Sequence, residues 1–155
     1  MNTPVVRKAL MRDAPVIHAL LMDGAGQGLL LPRSLHQIYT CLRDFFVLDT
    51  GEGAQVIGCC ALALMREDMA EVRSLMITDT YRRYGLGLRL VNACLEDAAA
   101  FGITTVFTLT YQIEFFSKAG FTEVAKESLP QKIWTDCIHC PKFPNCDETA
   151  MIRPI

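Results

Sequence analysis

The chain has 155 residues, of which 51% are hydrophobic and 21% are charged. A chain of this size buries enough surface to fold as one domain without disulfides, and its hydrophobic content excludes intrinsic disorder. Fifteen basic and 17 acidic residues give a net charge of −2, which predicts no nucleic-acid partner and no attraction to an anionic membrane. No apolar run is long enough to span a bilayer, and the charged N-terminal residues differ from a signal peptide, so we expect a cytoplasmic protein.

A strand and two helices are expected at the start of the chain. Residues 4–10 have a strand-like composition, and Asp13 is placed to cap the helix that follows. The three glycines within residues 24–28 are expected to end this helix in a loop. Ser34 is predicted to cap a second helix, because apolar residues recur at helical spacing after it.

Strands and helices alternate along the rest of the chain. Apolar alternation and β-branched segments predict strands, and 3.6-residue periodicity predicts helices. The expected elements, in chain order, are strands over 45–49, 56–65 and 71–78, a helix over 87–101, a strand over 104–110, a helix over 112–118 and a strand over 121–125. The order β-α-α-β-β-β-α-β-α-β predicts an α/β (α+β) fold with a mixed, mostly antiparallel sheet, one parallel crossover and helices on both faces. We expect a single domain over residues 1–155, on which a Cys- and Pro-rich tail over residues 131–155 packs.

A loop rich in glycine and arginine joins the strand over 71–78 to the helix over 87–101 as Arg82-x-x-Gly85-x-Gly87. Glycines let the backbone approach a ligand, the helix start presents unpaired N–H groups, and arginines add positive charge. The loop therefore predicts a pyrophosphate site, although the motif alone also fits an ordinary helix start. It is not a Walker A loop, because no Gly-Lys-Ser/Thr follows, and it lacks the third glycine of a dinucleotide fingerprint.

Two segments flank this loop: Glu71-Val-Arg-Ser-Leu-Met-Ile77 before it, and Phe115-Phe-Ser-Lys-Ala-Gly-Phe121 after the helix. In this order, and over nearly the whole chain, the segments and the loop resemble the GNAT superfamily of N-acetyltransferases, in which a homodimer is usual. The resemblance implies acetyl-CoA as cosubstrate. It also implies that the cofactor-binding residues are Leu75, Met76, Ile77, Arg82, Arg83, Tyr84, Gly85, Leu86, Gly87 and Leu88.

Narrower motifs resemble the acetyltransferase domain of N-acetylglutamate synthases, in particular their short, single-domain form. These motifs are Leu31-Pro-Arg-Ser34, Ile57-Gly-Cys-Cys-Ala61, Leu129-Pro130 and the tail from Trp134 to Glu148. The resemblance implies acetylation of the α-amino group of L-glutamate, the first step of arginine biosynthesis. Glutamine, another amino acid or a protein amine remain alternative acceptors, and a module that senses metal or CoA through the cysteine tail is a second alternative.

Glutamate acetylation requires a base and groups that bind two carboxylates. We expect Glu71, on the strand beside the predicted CoA site, to take the proton of the acceptor amine through water. The predicted acceptor-binding residues are Arg33, Arg73 and Ser74, since a guanidinium group matches both oxygens of a carboxylate. Two-residue alternation places Arg73 on the same side of its strand as Glu71. Lys142 is a further candidate, and a solvent-exposed structural role is the alternative for each basic residue.

One departure from the family pattern concerns the leaving thiolate. Many members have a tyrosine four residues before the glycine of the glycine-phenylalanine pair, and it donates a proton to the thiolate. Phe116 stands at this position and cannot donate a proton. We therefore expect the thiolate to leave unassisted or to be protonated through water.

Three tail cysteines, Cys137, Cys140 and Cys146, have knuckle-like spacing. This spacing is compatible with zinc or an iron–sulfur cluster that takes His139 or Asp147 as a fourth ligand, but a second C-x-x-C is missing. We predict no bound metal and interpret the tail as an apolar flap over the acceptor pocket. The other four cysteines are predicted to be small core residues: Cys41, Cys59, Cys60 and Cys94.

Overall fold

One mixed sheet with helices on both faces accounts for the described part of the chain. The computed structural model describes residues 3–51, 55–130 and 148–155. The elements are β1 (Val5–Lys8), α1 (Ala14–Gly26), α2 (Leu35–Thr40), β2 (Phe45–Asp49), β3 (Val56–Arg66), β4 (Met69–Ile77), α3 (Leu86–Ala100), β5 (Thr105–Thr110), α4 (Ile113–Lys118), β6 (Thr122–Val124) and β7 (Thr149–Pro154). The strand order is β1-β2-β3-β4-β5-β7-β6. Only β4 and β5 pair in parallel among these strands, across the α3 crossover, which confirms the predicted fold class.

β7 was not predicted from the sequence. It pairs with β5 from Thr105↔Pro154 to Thr110↔Thr149 and with β6 on its other edge. The end of the segment interpreted as a packing tail is therefore an interior strand of the sheet. Its apolar residues, Ala150 and Met151, are both buried, but so short an apolar run carries little periodicity, and the strand becomes evident only from its two partners.

Each face of the sheet carries its own apolar core. On one face, α3 and α4 pack against alternate residues of the central strands, and the buried members include Leu62, Val72, Leu90, Val91, Val106 and Phe116. On the other face, α1 and α2 cover a second cluster that includes Ile17, Leu21, Ile38, Val47 and Met76. The central strands carry apolar side chains on both faces because helices cover both sides of the sheet. None of the helices in the described ranges is long and apolar enough to cross a membrane.

The helix ends show where local signals hold and where packing overrides them. Ser34 caps α2 as predicted, since its hydroxyl accepts a hydrogen bond from the Gln37 amide at 3.1 Å. The glycines end the first helix as predicted, since α1 stops at Gly26, but the helix continues through Gly24. A Cβ at Gly24 would lie 3.1 Å from both Leu30 Cγ and Met76 Sδ. Close packing at this helix turn therefore outweighs the low helix propensity of glycine.

Asp13 precedes α1, but its side chain does not cap the helix as predicted. Its carboxylate accepts hydrogen bonds from the Arg7 guanidinium at 2.7 and 3.0 Å and from the Leu10 amide at 2.7 Å. These bonds, that of Arg7 foremost, hold the pKa of Asp13 below its ordinary value although burial opposes the shift. Asp49 also pairs with Arg7, so the ion network joins β1, β2 and the start of α1.

Three of the four cysteines predicted in the core are fully buried, namely Cys59, Cys60 and Cys94. Burial raises the pKa of the Cys59 thiol to about 12, and the Cys60 and Cys94 sulfurs lie 3.8 Å apart. Cys41 is only half-buried, at the end of α2. The three buried cysteines act as small apolar side chains, as predicted, whereas Cys41 departs from the prediction.

Candidate functional site

A split between β4 and β5 opens a cleft in the middle of the sheet. The parallel pairing of the two strands ends at Glu71↔Phe107. On the other edge of β4 the register shifts, since β3 advances from residue 59 to 61 while β4 runs from residue 76 to 73. Ser74 lies at this bulge with a positive φ of 58°, which is uncommon for a residue with a side chain. The bulge turns β4 away from β5, because an extra residue bends a strand and increases its twist.

The cleft has a volume of about 610 Å³. The sequence-predicted residues that line it are Arg33, Glu71, Arg73, Ser74, Leu75, Met76, Ile77, Arg82, Arg83, Gly85, Leu86 and Gly87. Tyr84 and Leu88 do not line it, and the Tyr84 side chain is 73% exposed. The tertiary structure thus brings the predicted CoA loop, base and acceptor residues to one cavity and leaves two predicted residues outside.

The loop before α3 has the backbone of an anion site. Gly85 is the N-cap residue of α3 in the left-handed conformation, at φ 74° and ψ 10°, and no side chain caps the helix. Arg83 is also left-handed, at φ 73°. Leu86 and Gly87, the first residues of α3, line the cleft, and among the described residues no side chain caps this helix end. The helix dipole adds partial positive charge there.

The two arginines of this loop have different surroundings. Arg82 donates from Nε to the Ile77 carbonyl at 3.0 Å, and its Nη1 pairs with Asp79 at 2.9 Å. Arg82 therefore braces the loop against the end of β4. Arg83 is exposed at the mouth of the cleft, and its guanidinium is available to an anion.

Glu71 and Arg73 lie on the same face of β4, as two-residue alternation predicts. Their side chains form an ion pair, with Arg73 Nη1 3.4 Å from Glu71 Oε1, and Glu71 is only 9% exposed. Arg33 reaches the same region from the connection between α1 and α2. Burial raises the pKa of the neighbouring Asp44, while the positive charges of Arg73, Lys8 and Arg33 oppose that shift. The two predicted acceptor arginines thus line the same cleft.

An aromatic cluster forms the floor of the cleft below α3. Phe116 is 3% exposed and packs edge-on against Phe115 and Phe121, at 5.0 and 5.2 Å between ring centroids. A Cβ at Gly87 would lie 3.2 Å from the Phe115 ring, so the first turn of α3 rests directly on this cluster. The position that carries tyrosine in many relatives of the predicted family holds a buried, apolar ring.

Some lining residues were missed by the sequence analysis. They come from the α1–α2 connection, from the divergent end of β5 and from the residue before β7, and they include Leu29, Leu30, Leu31, Thr108, Thr110, Gln112 and Glu148. The β5 residues follow an ordinary strand pattern, and only the split from β4 exposes them to the cleft. No local motif could have shown this.

Residues 19–121 match the acetyltransferase (GNAT) family. The chain belongs to this family. The GNAT chain is 42% identical over 150 residues to an uncharacterized N-acetyltransferase of Chlorobaculum tepidum, covering 97% of this chain and 96% of that one. It is 34% identical over 122 residues to the amino-acid acetyltransferase of Mycobacterium tuberculosis, covering 78% of this chain and 70% of that one. The resemblance inferred from the loop and its flanking segments is confirmed.

Solved structures share this fold. A Mycobacterium tuberculosis protein in complex with CoA and NLQ has a TM-score of 0.86 and 26% identity, and the alignment covers 98% of the GNAT chain and 99% of that protein. The N-acetylglutamate synthase of Neisseria gonorrhoeae, complexed with coenzyme A and N-acetyl-glutamate, has a TM-score of 0.87 and 25% identity. The alignment covers 99% of the GNAT chain but only 35% of the synthase.

The predictions for the cysteine tail lie outside the described residues. They concern Cys137, Cys140 and Cys146 as a flap and Lys142 as an acceptor ligand. Within residues 3–51, 55–130 and 148–155, no group of three or more His, Cys, Asp and Glu side chains is arranged to hold a metal ion. The absence of a metal site in the tail therefore stays a prediction.

Proposed function

We propose that this GNAT protein transfers the acetyl group of acetyl-CoA to the α-amino group of an amino acid, with L-glutamate as the acceptor. This reaction would begin arginine biosynthesis. The observation that carries the proposal is the buried Glu71 carboxylate beside Arg73 at the point where β4 and β5 part. The amino-acid acetyltransferase relative and the synthase structure with bound N-acetyl-glutamate support the same substrate class.

The donor half of the cleft fits acetyl-CoA, which supplies an acetyl group activated as a thioester. A volume of about 610 Å³ is within the usual range of small-molecule sites. The amides at the start of α3 and the Arg83 guanidinium would bind the pyrophosphate, because both favour negative charge. The backbone of Leu75, Met76 and Ile77 lies beyond the paired part of β4 and β5 and would hold the pantetheine arm. An amide of this segment would polarise the thioester oxygen.

Glu71 would act as the base. An α-amino group is largely protonated at neutral pH, so it must lose a proton before it can attack a thioester carbonyl. Glu71 lines the cleft at the last paired residue of β4, where a water molecule can pass the proton from the amine to the carboxylate.

Arg33 and Arg73 would bind the carboxylates of the acceptor. Both line the cleft that Glu71 also lines. A dicarboxylate acceptor offers each arginine an oxygen pair of matching geometry. Ser74, at the bulge between Arg73 and the pantetheine segment, would donate a hydrogen bond to the same ligand.

The leaving thiolate would receive its proton from water. Phe116 has no hydroxyl and is packed between two other rings, so it excludes solvent from the cleft floor without acting as an acid. A CoA thiolate is a stable leaving group in comparison with an alkoxide, and thus unassisted departure suffices.

A thiol-release assay with acetyl-CoA tests the proposal. The purified protein is assayed with each of the twenty amino acids, with a lysine-containing peptide, and without an acceptor as the control for hydrolysis. We expect L-glutamate to have the highest kcat/KM and the product to carry the acetyl group on the α-nitrogen. Higher kcat/KM with glutamine or the peptide would assign the alternative acceptor. CoA binding without turnover of any acceptor would favour a sensor and overturn the proposal.

A further inference from the structure

At the point where β4 and β5 part, a side chain of β5 forms a hydrogen bond with the backbone of β4. Glu71 and Phe107 are the last paired residues, and the next residue of β5, Thr108, donates its hydroxyl to the Val72 carbonyl at 2.8 Å. Thr108 is 2% exposed and Val72 is fully buried. The hydroxyl thus satisfies a buried carbonyl that the split has removed from the backbone ladder.

The position of this bond matters for the cleft. Val72 separates Glu71 from Arg73, and the Ser74 bulge follows directly. A buried carbonyl without a partner is strongly unfavourable, so loss of the hydroxyl would rotate this part of β4 toward solvent in the cleft. The rotation would change the direction of Glu71. The loop from Arg82 to Gly87 lies at the other end of the cleft and does not depend on this bond.

We propose that Thr108 is a positioning residue for the acetyl-transfer reaction: its hydroxyl fixes the β4 backbone at Val72 and thereby the orientation of Glu71. The inference rests on the proposed function, since it assigns Thr108 a role at the same cleft. Thr108 touches neither the acceptor nor the acetyl group in this account. It acts through the Val72 carbonyl, and its effect should therefore appear in kcat rather than in CoA affinity.

Three variants test the role of the hydroxyl. Thr108→Val keeps the shape of the side chain and removes the donor, Thr108→Ser keeps the donor, and Thr105→Val makes the same change on β5 where the ladder with β4 is intact. Misplacement of a reacting group by a fraction of an ångström should lower kcat of Thr108→Val at least about tenfold, with kcat of Thr108→Ser within about threefold of the wild type. Thr105→Val should leave kcat unchanged, and the Kd of CoA should be unchanged in all three.

Each outcome decides the inference. The assays use the best acceptor of the wild-type protein, at a temperature well below the Tm of every variant. A folded Thr108→Val protein with wild-type kcat and only a lower Tm would make the hydroxyl merely structural and overturn the inference. If Thr108→Val does not fold, a folded Thr108→Ser protein with a tenfold loss of kcat would overturn it equally.

A readout without turnover separates this inference from the proposed function. Amide hydrogen exchange over residues 70–77 should be faster in Thr108→Val than in the wild type, Thr108→Ser or Thr105→Val. Equal exchange in all four proteins would contradict the positioning role, even where the wild type acetylates glutamate. A wild-type protein that acetylates no acceptor but shows the exchange difference would overturn the proposed function and leave the backbone role of Thr108 in place.

Discussion

Replacement of Gly85 by alanine should weaken CoA binding without disturbing the rest of the fold. Gly85 has φ 74°, and a Cβ there would meet open space, so the whole cost of the substitution is conformational. A left-handed residue with a side chain costs about 1–2 kcal/mol. The loop is exposed, so it would relax in the unliganded protein, and CoA would have to restore the strained form. A cost of about 1–2 kcal/mol corresponds to a rise of about 5- to 30-fold in Kd.

Gly102 provides the matched control at the opposite end of α3. It has φ 84°, and a Cβ on Gly102 would meet open space just as one on Gly85 would, but Gly102 does not line the cleft. Gly102→Ala should lower the free energy of unfolding by about 1–2 kcal/mol and leave CoA affinity unchanged. Isothermal titration calorimetry measures the Kd of CoA, and chemical denaturation measures stability. A folded Gly85→Ala protein that binds CoA as tightly as the wild type would refute the assignment of the loop.

Three further predictions concern the base, the acceptor site and acid stability. Glu71→Gln should lower kcat by about 10²–10⁴-fold with unchanged CoA affinity, whereas Glu123→Gln on the exposed edge strand should not lower kcat. Steady-state kinetics of both variants test this prediction. A kcat of Glu71→Gln equal to that of the wild type at every pH would make Glu71 structural. Arg33→Ala and Arg73→Ala should each raise the KM for glutamate at least about tenfold and leave the KM for acetyl-CoA unchanged. Arg66→Ala, which removes an arginine from an exposed ion pair, is the control. Parallel changes in both KM values would contradict a role of Arg33 and Arg73 in acceptor binding. The Arg7 hydrogen bonds lower the pKa of Asp13 in the folded protein. The ionised carboxylate therefore stabilises the fold at a pH above 3.8, the ordinary aspartate pKa, and this stabilisation is lost as the pH falls below 3.8. Denaturation of Asp13→Asn should therefore show its largest deficit at neutral pH and a shrinking one in acid, and a deficit independent of pH would refute the argument.

Local motifs predicted those parts of the site that lie close together in sequence. The pyrophosphate loop needs glycines, arginines and a helix start within a few residues, and all of them occur from Arg82 to Gly87. Glu71 and Arg73 were placed on one side of β4 because side chains alternate along a strand, and their ion pair agrees. Such inferences succeed where the physical cause acts over less than about one helical turn or strand repeat.

Other parts depend on contacts between segments that are distant in sequence. The β4 bulge needs β3 as its reference strand, and the cleft needs β4 and β5 to part after one short stretch of pairing. The extension of α1 through Gly24 depends on Leu30 and Met76. A residue's own propensity carries no information about these partners, and the tail strand was not predicted for this reason.

By itself, the sequence determined the order of most elements, the Ser34 helix cap, the position of the glycine- and arginine-rich loop before a helix, and the family. Each of these follows from residue types at short, fixed spacings, which act on the chain before any tertiary contact forms. Only the tertiary structure decided that β7 lies between β5 and β6, that Thr108 closes the strand split, and that Arg33 reaches the cleft beside Arg73. These depend on the burial of apolar surface and the pairing of backbone groups across the whole sheet, and that balance is set by all strands together rather than by any one segment.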